Sequence, residues 1–383
     1  LQQVKWAEFE LRDLFVKITT KKLKYKTNDL PSEATEDFDL PALTAGIQNQ
    51  GLNNYVPRND ATILKNVISI SANGANTGAT FYQNKEFTVL QDAYAIKWKY
   101  TNDLLTDNQY LFLTGSISKA IYGNYEWTNK AGWERIKENK ILLPIKNLTQ
   151  IDFDFMENFI SQLEAYRLSQ LEAYLLVTGL KDYQLTSEEE KVLEDFQNGE
   201  VKWEEVELQE LFQVETSKKR FDANKVTILN SGYPYIVRTA MNNGVRGYLK
   251  ENEEYLNEGN TISFGQDTAT MFYQKRPYFT GDKIKILKSR FSNFNTKEAL
   301  FFITLLGRAF SIFSWGSSSF SEKMIKSQKI IIPQKYSVNE EKFSEIDFNF
   351  MQTLISAVQK LVIKDVVLYA DRKIAATKEV IKG

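Results

Sequence analysis

KWAEFELRDLF occupies residues 5–15 and KWEEVELQELF occupies residues 202–212, the same pattern displaced by 197 positions. The correspondence continues in order along the chain. Thr19-Thr20-Lys21-Lys22 returns as Thr216-Ser217-Lys218-Lys219, and Asn49, Gly51 and Tyr55 return as Asn242, Gly244 and Tyr248. Phe81-Tyr82-Gln83 is echoed by Phe272-Tyr273-Gln274, and Trp127 by Trp315. ILLP at 141–144 and IDFDFM at 151–156 reappear as IIIP at 330–333 and IDFNFM at 346–351. Colinear matches at offsets of 188 to 197 identify a tandem duplication.

Each copy has the same internal order. A strand-like stretch, Val4 to Leu11 or Val201 to Leu208, leads into the basic turn. β-Branched runs follow, such as Val67 to Ile70 and Thr261 to Phe264, separated by Gly/Asn-rich loops. Helical stretches are expected over Asp107 to Tyr122 and Thr296 to Phe313, and final strands end at Pro144 and Pro333. The fold class is therefore α+β, with each domain followed by a helix. The apolar stripes run through Phe155, Phe159, Leu163, Tyr166, Leu171, Tyr174 and Leu175, and through Phe350, Leu354, Val358, Leu361, Val362 and Tyr369. Gly179 and Gly383 stand at the expected helix ends. The two related helices are expected to pair as an antiparallel coiled coil, with the globular domains at opposite ends. The expected boundaries are domain one at 1–150, a helix at 151–182, an acidic linker at 183–200, domain two at 201–344 and a terminal helix at 345–383.

Composition narrows the chemistry. The 383 residues include neither His nor Cys. That excludes an imidazole base, a Ser-His-Asp triad, a thiolate nucleophile and disulfides. Freedom from Cys fits a reducing, cytoplasmic setting. The longest apolar run, Ala299 to Leu306, is far short of a membrane span, and the opening LQQVKW shows no signal pattern, so a soluble protein is expected. The formal charge of −1 hides segments of opposite sign: +2 over 1–150, −9 over 151–200, +4 over 201–345 and +2 over 346–383. Two mildly basic blocks flanking an acidic one are compatible with a polyanionic partner.

Several motifs carry alternative readings. Asp152-Phe153-Asp154 resembles an Asp-x-Asp metal or glycosyl-transfer motif, but Asn349 replaces Asp154 in copy two, which favours helix capping. The segment from Ser71 to Gly78 is Gly-rich, yet it lacks a following Lys-Ser/Thr, so it is no nucleotide triphosphatase loop. It reads either as an ordinary hairpin loop or as a recognition loop, with Gly265 to Thr270 as its counterpart. Tyr82-Gln83 and Tyr273-Gln274-Lys275-Arg276 mix aromatic, amide and basic groups of the kinds that read base edges, and their aromatics also suit packing. The basic turns, Lys21 to Lys26 and Lys218 to Arg220, suit phosphate positioning or a solvated loop. Ser317 to Ser321 with Lys323 could imitate a Ser/Lys nucleophile pair, but copy one has no matching serine, and a polar loop reaching toward a ligand is simpler. Glu188 to Glu190 reads as part of a solvated linker.

A duplicated α+β domain with a helix after each copy resembles the specificity subunit of type I restriction–modification systems. The resemblance rests on Trp6 to Phe15 with Trp203 to Phe212, the strands ending at Pro144 and Pro333, and the two Ile-Asp-Phe-(Asp/Asn)-Phe-Met helix openings. It implies that each domain is a target recognition domain reading one half of a bipartite double-stranded DNA sequence. It also implies that the helices are a spacer and a dock for two methyltransferase subunits, with restriction subunits joining them. The chain itself would be non-catalytic and hold no cofactor or metal. S-adenosylmethionine would belong to the methyltransferase, and Mg and ATP to the restriction subunit. The chain contains no Pro-Pro pair, so it lacks the usual Asn/Asp-Pro-Pro-Tyr loop of adenine methyltransferases. A helix of about 25 residues spans ~38 Å against ~34 Å for a duplex turn, which puts the half-sites roughly one turn apart. Base-edge contacts are expected among Asn73, Asn76, Thr77, Gln83, Lys130 and Arg135 in copy one, and among Arg238, Asn242, Gln266, Thr268, Arg276 and Lys323 in copy two. Phosphate contacts are expected from Lys21, Lys22, Lys218, Lys219 and Arg220, and partner docking from Phe155, Phe159, Leu163, Phe350, Leu354 and Val358. The alternatives are the specificity subunit of a two-subunit type II enzyme, a tandem glycan- or protein-binding module, and a carboxylate hydrolase, the last disfavoured by Asn349.

Overall fold

The computed structural model describes residues 4–100, 104–147, 150–311, 320–335 and 346–382. Trp315, Ser317 to Ser319 and Gly383 lie outside the described residues. The chain divides into two compact units, Leu1–Leu171 and Glu172–Gly383.

The first unit runs β1 (Lys5–Glu10), α1 (Leu11–Leu14), β2 (Phe15–Lys17), β3 (Leu40–Leu43), β4 (Leu52–Val56), β5 (Val67–Ser71), β6 (Thr80–Gln83), β7 (Thr88–Val89), β8 (Ala93–Trp98), α2 (Asp107–Ile121), α3 (Trp133–Ile136) and β9 (Lys140–Ile145). The first and last strands close on each other: β1 pairs antiparallel with β9, with Trp6 opposite Pro144. This is why the duplicated opening and the Leu/Ile-Pro ending return together. A four-stranded sheet has the order β2-β8-β5-β6, and a three-stranded sheet the order β4-β3-β7. Every residue of the β-branched run VISIS in β5 is buried, as expected of a strand with a neighbour on each side and packing on both faces. Helix α2 begins with a capping box between Thr106 and Gln109. It buries Tyr110, Leu113, Ile117 and Ile121, a helical stripe, in the same core as Ile68, Ile70 and Ile96. Each aliphatic chain so buried contributes roughly 1.5–3 kcal/mol.

The long helix α4 (Phe153–Val177) starts where the second motif predicts. The Phe155 N–H donates to Asp152 Oδ1 at 3.0 Å, so Asp152 is the cap, while Asp154 is exposed and ion-paired to Lys146.

The second unit repeats this plan. It contains α5 (Ser187–Gln197), β10 (Trp203–Glu207), α6 (Leu208–Leu211), β11 (Phe212–Thr216), β12 (Tyr233–Ile236), β13 (Val245–Leu249), β14 (Thr261–Gly265), β15 (Met271–Gln274), β16 (Phe279–Thr280), β17 (Ile284–Ser289), α7 (Thr296–Phe310), α8 (Glu322–Ser327), β18 (Lys329–Pro333) and α9 (Phe348–Lys382). The sheet orders are β10-β18, β11-β17-β14-β15 and β13-β12-β16, strand for strand those of the first unit. Even the irregularities recur. Register shifts fall between Ala42 and Leu43 and between Tyr235 and Ile236. Asn49 and Gln50 take left-handed φ of 47° and 56° before Gly51, as Asn242 and Asn243 do at 49° and 52° before Gly244. A Cβ at Gly51 would lie 2.8 Å from the Thr44 carbonyl oxygen, which explains the retained glycine. Asp347 caps α9 through the Phe350 N–H at 2.9 Å, matching Asp152.

One expectation is corrected. The acidic stretch read as a solvated linker contains the ordered helix α5, capped by Thr186 and Glu189, and Glu189 is only 6% exposed. Periodicity is masked there because the acidic residues of the first turn also serve the cap and an ion pair. Among the described residues no helix is long and apolar enough to cross a membrane.

Candidate functional site

The basic turn after β2 and its repeat after β11 have fixed backbones and exposed basic side chains. The Lys21 N–H donates to Thr62 Oγ1 at 2.9 Å, and the Lys218 N–H donates to Asn257 Oδ1 at 3.1 Å. Asn257 is buried and donates in turn to the Tyr278 carbonyl at 3.0 Å. Lys21, Lys22, Lys218, Lys219 and Arg220 are all exposed, as phosphate contacts require. The Lys219 ammonium lies 4.8 Å and 4.3 Å from the ring centres of Phe221 and Tyr255, and Arg220 pairs with Asp282 at 3.1 Å.

A cleft adjoins each turn, and the two differ in charge. The first, of about 1240 Å³, is lined by Arg12, Lys17, Lys21, Lys22, Lys24 and Lys26 with Glu134 as its one acidic residue, and by Tyr94 and Trp133. The second, of about 1520 Å³, is lined by Arg220, Arg238 and Arg246 together with Asp222, Asp267 and Asp282. Two of its three arginines are drawn into pairs: Arg238 with Asp267, which Lys283 also contacts at 3.0 Å, and Arg220 with Asp282. The first cleft therefore attracts anions by net charge, whereas the second presents an alternating field of donors and acceptors.

The base-reading candidates separate into exposed groups and structural ones. Lys130, Arg135, Asn242, Arg276 and Lys323 are exposed, and Asn76 is half-buried. Arg135 donates to Asn129 Oδ1 at 2.7 Å, and Asn242 donates to the Val245 carbonyl at 3.1 Å. Asn73 donates to Asp92 at 2.9 Å. Thr77, only 2% exposed, instead holds a neighbouring loop: its Oγ1 accepts from the Ala131 N–H at 3.0 Å. Gln266 performs the same service in copy two, donating from Nε2 to the Phe320 carbonyl at 2.7 Å. Thr268 bonds Thr270 within its own loop at 2.8 Å. Gln83 donates to Ser69 Oγ at 3.1 Å, and its buried repeat Gln274 donates to Ser263 Oγ at the same distance. The adjacent tyrosines are packing groups. The Tyr82 hydroxyl donates to Asp107 at 2.6 Å with its ring stacked on Tyr110, and the Tyr273 hydroxyl donates to Asn260 at 2.9 Å. Burial, reinforced by Asp107, raises the Tyr82 hydroxyl pKa.

Three exposed residues were not among the site candidates read from the sequence. Arg246 and the 75% exposed Met241 line the second cleft, and Trp127 is 69% exposed. The recurrence of Asn49 and Gly51 as Asn242 and Gly244 was the available signal for the first two.

The helix candidates also need correction. Phe155 meets Trp6 and Phe112 of its own domain edge to face, Phe159 meets Phe112 in the same way, and Phe350 and Leu354 are buried in the second core. Hydrophobic spacing alone does not distinguish a helix fastened to its own domain from one awaiting a partner. Leu163 and Val358, each 42% exposed, remain accessible, as do Tyr166, Tyr174, Leu361, Val362 and Tyr369 farther along. In the second unit, the stretch from Lys181 to Glu189 runs antiparallel along α9. Lys181 pairs with Asp371, Lys360 reaches Glu189 Oε2 at 2.9 Å and the Gln184 carbonyl at 2.8 Å, and Asn349 reaches Glu188 at 3.0 Å. Among the described residues no cluster of three or more metal-ligating side chains is present.

Comparison with known proteins follows the duplication. Residues 3–173 and 200–366 each match the family model for the type I restriction modification DNA specificity domain. Over 163 residues, 42% of this chain, the sequence is 30% identical to S.BcgI, the specificity subunit of a type II restriction enzyme from Heyndrickxia coagulans, and the match spans 45% of that relative's length. The type I restriction–modification S subunit from M. genitalium aligns with a TM-score of 0.54 at 16% identity, over 99% of this chain and 95% of that one. At that identity the likeness is one of fold. The HsdS subunit from Thermoanaerobacter tengcongensis aligns with a TM-score of 0.32 at 10% identity, over 96% of this chain and 91% of that one.

Proposed function

This chain belongs to the type I restriction modification DNA specificity family, and from that membership we propose that it is the sequence-reading, non-catalytic subunit of a restriction–modification complex. Each half reads one part of a bipartite duplex target. The observation that carries this reading is the pair of units with one strand order and differently charged clefts. Two copies of one frame offer similar docking geometry to symmetric partners, while their different side chains read different bases. The two long helices, paired antiparallel, act as spacer and docking surface for two methyltransferase subunits, and restriction subunits join through them. S-adenosylmethionine is the cofactor of the methyltransferase in this reading, and Mg and ATP serve the restriction subunit.

The test is co-purification with the methyltransferase encoded nearby, followed by sequencing of methylated sites. A bipartite motif is expected, and methylation of one undivided half-site would exclude two readers. Exchanging residues 1–150 for the corresponding domain of a relative should alter one half-site, and alteration of both would refute the division of labour. The likeness to S.BcgI favours a second arrangement, in which one partner polypeptide both methylates and cleaves. Assaying the purified partner for both activities separates the two systems. Binding that is insensitive to salt would point instead to a glycan- or protein-binding module.

A further inference from the structure

We propose that Trp127 is a specificity-determining residue of the first half, its indole stacking on a base of the first half-site beside the base-edge candidates Lys130 and Arg135. This inference rests on the DNA-reading assignment. Trp127 stands in the connection between α2 and α3 with 69% of its surface exposed, against 39% for Trp6. An indole so exposed leaves most of its apolar surface open to solvent, with the Lys130 ammonium over the ring at 5.7 Å.

The connection is built to hold still the backbone that carries the indole. Glu126 and Asn129 exchange backbone hydrogen bonds, at 3.1 Å from the Glu126 N–H and 3.0 Å from the Asn129 N–H. The Thr128 hydroxyl donates to Glu126 at 2.8 Å, and Arg135 donates to the Asn129 side chain at 2.7 Å. At the base of the loop, Ala131 is gripped from both sides. Its N–H donates to Thr77 Oγ1 at 3.0 Å, and its carbonyl accepts from the Tyr94 hydroxyl at 2.9 Å. The second unit grips Phe320 with other atoms: its N–H donates to the Gln266 carbonyl at 2.8 Å, and its carbonyl accepts from Gln266 Nε2 at 2.7 Å. The restraint is kept while the residues supplying it change. Thr77 and Tyr94 are accordingly positioning residues. A tip restrained before binding loses little conformational entropy on contact.

The surroundings select the ligand. The Lys130 ammonium lies 5.7 Å from the Trp127 ring centre, and Trp133 and Glu134, which follow the loop, wall the cationic cleft. Of the nearby acids, Glu126 is engaged by Thr128, and Glu134 pairs with Lys137 at 2.5 Å. An aromatic face with a cation over it, in a loop that leads into the wall of a positive cleft, suits a base in its phosphate backbone better than a neutral sugar or an apolar peptide.

The test uses the chain in complex with its methyltransferase and duplexes carrying the methylated target. Trp127→Ala should weaken binding roughly tenfold, the order of one base–aromatic contact net of opening the duplex step that the indole enters. It should also relax sequence preference in one half-site, with the other unchanged as the internal control for folding. Trp127→Phe should retain most of the affinity, and the tryptophan fluorescence change that the duplex induces in the parent complex should shrink in it. A folded Trp127→Ala complex with unaltered affinity and unaltered preference at both half-sites would overturn the proposal alone. A parent complex that recognises no duplex sequence would overturn the DNA-reading assignment with it.

Discussion

Replacing Glu189 by Gln should loosen the second unit in a way that depends on pH. Glu189 is 6% exposed, and its Oε2 accepts from Lys360 Nζ at 2.9 Å and from the Thr186 N–H at 2.8 Å. Burial alone would raise its pKa, but the Thr186 N–H, the Lys360 ammonium and the Ser356 hydroxyl outweigh it and lower the pKa from 4.5 to about 2. At about 1.4 kcal/mol per pKa unit, such a depression corresponds to roughly 3 kcal/mol. Asp182 remains 3.6 Å from Lys360 and keeps part of the attraction, so about 2 kcal/mol is expected to be lost in E189Q. Because the folded-state pKa is depressed, the stabilisation is complete above the unfolded value near 4.5 and disappears as pH falls toward 2. Urea unfolding at pH 7 should therefore separate parent and E189Q by about 2 kcal/mol, and at pH 3 the gap should narrow. Hydrogen exchange should locate the loosening in α5 and the facing part of α9. A gap below about 0.5 kcal/mol at pH 7, the level of an exposed pair, would refute the clamp. So would a gap that stays constant between pH 7 and pH 3.

Three further outcomes are expected. Asp152→Ala and Asp347→Ala should each cost about 1 kcal/mol in urea unfolding through loss of a helix cap, whereas Asp154→Ala should change stability little. The double variant Lys21→Ala/Lys22→Ala should lower the slope of log affinity against log salt by roughly 2 if each lysine meets a phosphate, with unfolding unchanged. Gln83→Ala should leave the methylated sequence as it was while costing about 1 kcal/mol of stability, since its amide bonds Ser69 inside the frame.

The fold was legible largely because it was written twice. The Trp6/Trp203 and Pro144/Pro333 matches mark strands that pair, with Trp6 opposite Pro144 and Trp203 opposite Pro333. The Asp154/Asn349 difference distinguished a cap from a ligand set, and the bonds that Asp152 and Asp347 accept from Phe155 and Phe350 agree with that reading. The short strands β3 and β7 were not resolved from sequence, because two to four residues carry too little periodicity to stand out. The same reasoning failed at α5. Glu189 looks solvated in a run of three glutamates, and only the three-dimensional position of Lys360, 171 residues away, makes it a buried partner.

Candidate recognition residues were harder to identify because chemical type does not reveal which way a side chain faces. Gln83 and Gln266 have the same amide, and both spend it on internal bonds. Comparing the halves supplies the missing criterion. Where both copies keep one residue and one bond, as at Gln83/Gln274, the position serves the frame. Where the restraint persists but its atoms change, as at Thr77 and Gln266, the position holds a loop whose outward residues are free to differ. The cationic lining of the first cleft and the paired arginines of the second are differences of that outward kind. A duplicated reader needs this separation, because two half-sites can diverge in sequence only if changing the reading surface leaves the shared frame intact.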